Sequence, residues 1–504
     1  MMPTISTTAP ATSAGVEASL KRCFTERPQW FSNRASAVFP VRIGPDVDTI
    51  ISFVDYWRLK KGLKTVTCVL RVFAEDGTVA LRQIVPIASA HNQISLAGLL
   101  GVESFSGMVE VEILSPENMG FRFPAVVAFY RSAEFYSAVH SAGRVRNADE
   151  TYTPRISTQT NWTCDARPGV SPFFHLFNGP RDGGLGEIEI RLMTSATDVA
   201  ERRRIDFGLQ APYASKLVLL DELFDLRSRT TGEYFFALDL PEAEVYPRPI
   251  VGNYHHDIDF LEATHSFYWT TNLDYLDESD PDVILPAFVP LMCPPELNLE
   301  LLGYPTNAPG DIVGTIRECD SSMRLHETGR EVAWKTGGEG APIWRFAANP
   351  DVPFASIDFR RGKIPSRLNA EFRYSVRSAA PRFATDTAWG AYACHYPPRR
   401  SHWGHGIVSS GYETVIMIRN VAQRRGESAD AVAHLELFGL PQERVEAAIE
   451  VPAEGAAFVR VRDLFGTPRD ARFVSWLLKS QCATLDTYWL SFSPNGGICG
   501  EHGF

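Results

Sequence analysis

LRQIVPIASAHNQISLAGLLG (residues 81–101), RRIDFGLQAPYASKLVLLDELFD (203–225) and AAIEVPAEGAAFVRVRDLFG (447–466) are three renderings of one pattern. Each opens on an alternating apolar run, crosses a small-residue turn and closes a second run on Leu-Leu or Leu-Phe. Each is followed by another apolar stretch and then by a histidine: His140 in AVHSAG, His265 in EATHSF and His502 in GEHGF. His395, in YACHYPP, falls between the last two at a similar interval. A repeat is read before anything else, because each copy is one structural unit and the copies together define the architecture. The interval of about 125 residues is the size of one compact domain.

The residues around each copy read as strands. TVTCVLRVFAEDGTVALRQIV alternates Val66, Cys68, Leu70 and Val72 on one face and turns at Glu75-Asp76-Gly77, which is the signature of a hairpin. SGMVEVEIL and FPAVVAFYRS add strands to the first copy. GEIEIRLMT, GEYFFALDL and RPIVGNY do so in the second, and GYETVIMIRN, AVAHLELFG and TYWLSF in the last. About six short strands per copy, with turns every ten residues or so, point to a sandwich or barrel rather than to βαβ units. Helical periodicity is scarce, and the Asp-Glu-Leu-Phe and Arg-Asp-Leu-Phe ends each suit a single helical turn.

The expectation is therefore an all-β chain of three to four tandem β-sandwich modules of about 100–130 residues with an internal repeat. The expected divisions are a flexible tail at 1–35, module 1 at 36–150, module 2 at 165–270, a divergent module 3 or insertion at 285–400, and module 4 at 401–504. Within the repeat, Ile84, Phe207 and Ile449 are expected at equivalent buried positions, as are Leu100, Phe224 and Phe465.

Bulk properties narrow the function classes. The 504 residues are 44% hydrophobic and 22% charged, a globular composition. A net charge of −11 argues against nucleic acid as a partner, since phosphate binding needs clustered Lys and Arg. Arg202-Arg203-Arg204 and Arg399-Arg400 are too short to reverse that reading. No apolar run is long enough to span a membrane, and the N-terminal residues lack the charge and apolar core of a secretory signal. The eight cysteines form no CxxC pair, which suits free thiols in a reducing, cytoplasmic compartment. GxSxG, Walker A, HExxH and a Rossmann GxGxxG are all missing.

Three groups of residues carry chemistry. The first is the recurring histidine at each module end. His140, His265 and His502, with Glu501 beside the last, suit a divalent transition metal such as zinc or iron if the modules pack around an axis that brings equivalent positions together. The second is CHYPPRRSHWGH, where His395, His402 and His405 are ligand-capable and Trp403 offers a stacking face. Its prolines and arginines read as a loop. The third is YHHDIDFLEATHSFYW, in which His255, Asp257 and Asp259 share one face of an extended strand. Tyr254, Glu262 and Trp269 complete a wall that suits a small molecule or a sugar. The function these features favour is ligand binding or assembly at a His- and aromatic-rich site between modules, with self-association or a carbohydrate as partner. The alternatives are a metal-dependent enzyme and a glycoside hydrolase using paired carboxylates.

Overall fold

The computed structural model describes residues 33–503 apart from 88, 120–124, 142–155, 181–185, 195–197, 209–210, 231–232, 242–247, 269–281, 283, 291–296, 304–310, 335–343, 346–351, 363–368, 377–384, 391–400, 423, 425, 440–443, 469 and 483. Strands dominate it. The described helices are Tyr56–Lys61, Leu96–Leu100 and Val461–Phe465, with one 3-10 turn at Leu220–Glu222.

The described strands fall into four sets of eight, with one short addition in the second. The first set is Arg34–Ile43, Asp48–Val54, Thr67–Ala74, Val79–Val85, His91–Ser95, Phe105–Leu114, Val126–Arg131 and Tyr136–His140. The second is Ile156–Asn161, Val170–Phe177, Glu187–Met193, Val199–Asp206, Ser215–Leu219, Phe235–Pro241, Ile250–His255 and Phe260–His265, with a short extra strand at Phe267–Tyr268. The third is Leu285–Pro290, Leu297–Gly303, Ile312–Cys319, Leu325–Trp334, Trp344–Arg345, Phe354–Arg361, Asn369–Val376 and Thr385–Gly390. The fourth is Ser401–Val408, Glu413–Asn420, Ala431–Phe438, Arg444–Val451, Gly455–Arg460, Arg472–Ser480, Leu485–Phe492 and Ile498–His502.

Every set folds the same way. Its first, sixth, third and fourth strands form one antiparallel sheet in that order, and its fifth, second, seventh and eighth form another. The third set, which in sequence reads as divergent, has this topology too. Its fifth strand is described at Trp344–Arg345. Eight strands stand where six were expected, and the additions include first strands, such as Ile156–Asn161 and Ser401–Val408, as well as the short eighth. The eighth strand holds only five residues in Tyr136–His140 and in Ile498–His502.

The first hairpin shows how the pattern makes the sheet. Cys68, Leu70 and Val72 are fully buried on one face of Thr67–Ala74, and Gly77 takes φ 88° at the turn, a value that a Cβ resists. Val79–Val85 is the edge of its sheet and lies largely in solvent. That corrects one core expectation. Ile84 is 64% exposed, while Phe207 and Ile449 are only partly buried, because all three sit on or beside the edge strand. The second expected trio is also mixed. Phe224 is buried against Phe236, whereas Leu100 and Phe465 are half-buried. The truly equivalent core residues open the helical turn after the fifth strand: Leu96, Leu220 and Val461, all fully buried.

Neighbouring modules dock through a repeated interlock. In module 1 the turn at Glu75–Gly77 meets the segment before the fifth strand of module 2, where the Ser215 amide donates to the Glu75 carbonyl at 2.9 Å. In module 3 the equivalent turn meets module 4, where the Ala456 amide donates to the Met323 carbonyl at 3.2 Å and the Leu325 amide to the Glu454 carbonyl at 2.7 Å. Tyr213 and Glu454, the residues presented by modules 2 and 4, both adopt left-handed backbone, φ 59° and 48°. Gly455 is required here, because a Cβ would stand 2.3 Å from the Met323 carbonyl oxygen.

The same arginine position serves both docks. Arg71 pairs with Glu110 within its own sheet and lies 5.4 Å over the Tyr213 ring. Arg317 pairs with Asp358 at 2.7 Å and with Glu454 of module 4 at 2.6 Å. Module 2 carries an Arg191–Asp239 pair at 2.6 Å, and in module 4 the charges swap strands as Glu436–Lys479 at 2.8 Å.

The succession closes on itself. Phe129 of module 1 packs against Phe473 of module 4 at 4.8 Å and Trp489 at 6.2 Å. Tyr136 packs against Tyr412 at 5.1 Å, and the Tyr412 hydroxyl donates to the Glu134 carbonyl at 2.9 Å. Modules 2 and 3 meet through Phe260–His265 and Thr385–Gly390. Head-to-tail contacts of this kind generate a ring when the rotation closes, and here a single chain supplies all four units.

Candidate functional site at the ring axis

Ring closure has one direct consequence. The eighth strand of each module turns toward the axis, so Tyr136–His140 lies against both Phe260–His265 and Ile498–His502, and Thr385–Gly390 lies against the latter two. The Ala263 amide of module 2 donates to Ser137 Oγ of module 1 at 2.8 Å and fixes the first of these contacts.

His140, His265 and His502 each terminate an eighth strand, opposite Val127, Ile250 and Tyr488 of the seventh strands. They meet at the axis. The His140 and His265 rings lie 4.3 Å apart edge to face, and the His140 and His502 rings 4.9 Å apart. One ring nitrogen from each falls within 4.8 Å of the others. His265 is fully buried, His140 is nearly so, and the His502 side chain keeps 13% exposure.

Glu501 sits within this group. His140 Nδ1 donates to Glu501 Oε1 at 3.0 Å, and the His502 amide donates to Glu501 Oε2 at 3.1 Å. Burial pushes the Glu501 carboxyl up to about 7, against the opposing pull of His502 and Arg248. Burial also holds His265 well below the usual imidazole range, helped by the positive field of Arg248 and by the neighbouring histidines.

The other sequence candidates lie elsewhere. His402 and His405 belong to the strand Ser401–Val408 rather than to a loop, and both are buried. Gly404, between them, pairs with Trp476, whose indole a Cβ would strike at 2.4 Å. Trp403 is buried in the same strand, packed on His405 at 5.6 Å and on Tyr56 of module 1 at 6.5 Å. The expected common face of His255, Asp257 and Asp259 does not form. The strand ends at His255, and 256–259 make a turn in which Asp259 has φ 52°. His255 Nε2 lies 2.9 Å from Glu262, while Asp259 is held by Arg42 of module 1 and by the Tyr254 hydroxyl, each at 2.6 Å. His395 and Trp269 lie outside the described residues.

A second buried polar group escaped sequence reasoning. At the seam between modules 1 and 4, His91 Nδ1 lies 2.6 Å from Ser475 Oγ. His405 Nδ1 lies 3.0 Å from the same hydroxyl and 3.2 Å from Ser52 Oγ. All four residues are essentially inaccessible. Burial lowers His91 to about 4 and holds His405 well below the usual imidazole range, with His91 adding to the effect on His405. Two serines and two histidines, with hydrogen-bonded partners up to 384 positions apart, leave no local signal in the sequence.

Fold and site together define a class: an all-β protein of four tandem sandwich modules whose module ends converge on one polar centre. No family model matches the chain, and no curated protein matches it. Among solved structures it aligns with a "Crystal structure of tetra-tandem repeat in extending region of large adhesion protein" over 93% of this chain and 98% of that one. The identity is 7% and the TM-score 0.09, so the two do not superpose as whole molecules and the likeness carries no argument. Among the described residues no helix is long and apolar enough to cross a membrane.

Proposed function

We propose that this chain is a binding protein, a single-chain ring whose ligand site is the axial centre built by modules 1, 2 and 4. The observation that supports this reading is the convergence of His140, His265 and His502 around buried Glu501. Burying imidazoles and a carboxylate costs free energy that an apolar hub of the same shape avoids, so a hub serving only to hold four modules together has no need of them. The side chains of the centre are buried, His265 fully and His140 and Glu501 nearly so, which suits a small ligand better than a polymer. Binding is favoured over hydrolysis by paired carboxylates because Asp259 and Glu262 are each engaged in structural pairs.

The reading is tested by thermal-shift measurements on the whole chain with zinc ion, inorganic phosphate, citrate and glucose as probes. The expected result is a rise in melting temperature with at least one probe, absent in His502→Ala. A panel in which every probe leaves both proteins alike contradicts the reading.

A further inference from the structure

Resting on the axial centre as a binding site, the hydrogen bonds of its histidines identify the ligand. Each ring is oriented through Nδ1. His140 donates to the Glu501 carboxylate at 3.0 Å, His265 to the Ser266 carbonyl at 2.9 Å, and His502 to the Gly503 carbonyl at 3.1 Å. An Nδ1–H bond to a carboxylate or backbone carbonyl is the outer contact that fixes the tautomer of a metal-bound imidazole and directs Nε2 at the ion. Three such arrangements, from three modules, meet at one point.

We propose that the ring axis binds one divalent transition-metal ion through Nε2 of His140, His265 and His502, with Glu501 as the positioning residue for His140. The donor set decides the class of ion. Three neutral imidazoles suit zinc, cobalt, nickel or copper, whereas calcium and magnesium require oxygen ligands. The size is compatible: nitrogens on a tetrahedral zinc stand about 3.3 Å apart, and one ring nitrogen from each histidine already lies within 4.8 Å of the others. Glu501 supplies negative charge beside the ion. Arg248, whose positive field reaches both His265 and Glu501, opposes it. Affinity therefore depends on Glu501. The three ligands leave a fourth position to water or to another side chain, on the partly exposed side of His502. The ion ties modules 1, 2 and 4 at the axis, so its binding energy adds to ring closure.

The experiment uses the full chain, dialysed against a chelator and titrated with Zn²⁺ by calorimetry and with Co²⁺ by visible absorption. The expected result is one equivalent of Zn²⁺ and Co²⁺ bands of a nitrogen-ligated ion, with Mg²⁺ silent. Saturable binding is lost in His140→Ala and in His502→Ala, both checked for native circular dichroism. Glu501→Gln keeps one equivalent and weakens it about 10–100-fold. Wild-type protein that takes up no Zn²⁺ or Co²⁺ overturns the inference, as does uptake unchanged in both histidine variants. Should phosphate, citrate or glucose then raise the melting temperature only when His502 is present, the binding reading stands and the metal alone is wrong. Should none do so, both fall.

Discussion

At the residue scale, chemistry depends on which face of a strand a side chain takes, and the sequence displays this unevenly. The recurring histidine was visible as a repeat, because a module-end position recurs whenever the module does. The seam group of Ser52, His91, His405 and Ser475 was not, because its two halves meet only when module 4 closes on module 1. Its chemistry yields a pH dependence. Folding lowers His91 from its ordinary value near 6.5 to about 4, so the unfolded chain binds more protons than the folded one between those values. The stability from keeping His91 neutral is full above about pH 6.5 and is lost as the pH falls toward 4, a change on the order of 3 kcal/mol. Urea unfolding at pH 7.5 and 4.5 checks this in wild type and in His91→Asn, which keeps a hydrogen-bonding group near Ser475 and cannot titrate. The variant is expected to lose less stability between the two pH values, and equal losses contradict the assignment.

At the element scale, the legible features were those set by local alternation. The hairpin at Thr67–Ala74 and Val79–Val85 followed from its period of two and its acidic-Gly turn, and the helical turns after the fifth strands from their Leu-Phe endings. Burial on the edge strand was not legible, because alternation cannot tell a strand covered on one face from an edge left in solvent, and Ile84 fell on the wrong side of that ambiguity. Nor did extended reading of 254–259 foresee the turn that takes Asp257 and Asp259 off the strand. The interlock at the third strand is a tertiary feature with an energetic consequence. Arg317→Ala removes the guanidinium shared by fully buried Asp358 and by Glu454 of the next module. The expected cost is about 3–5 kcal/mol in denaturant unfolding, and the double variant Arg317→Met with Asp358→Leu recovers most of it. A single variant as stable as wild type shows that the pair does not hold modules 3 and 4 together.

At the scale of the whole molecule, the all-β class and the tandem modules were legible from the repeat, which left their number at three or four, while ring closure was not. Tandem modules with identical sequences can string out or close, and the choice lies in the docking surfaces: the left-handed turns at Tyr213 and Glu454, and the aromatic seam of Phe129, Tyr136, Phe473 and Trp489. Closure is also what makes the axial centre, since His140 and Glu501 are 361 residues apart in the chain and 3.0 Å apart in space. It is the central claim, and small-angle X-ray scattering from the full chain tests it most directly. A closed ring of this length gives a radius of gyration of about 23–27 Å, near the value for any compact body of its size. Four such modules strung end to end give one of about 38 Å, and a measured value near that figure contradicts ring closure and with it the axial site.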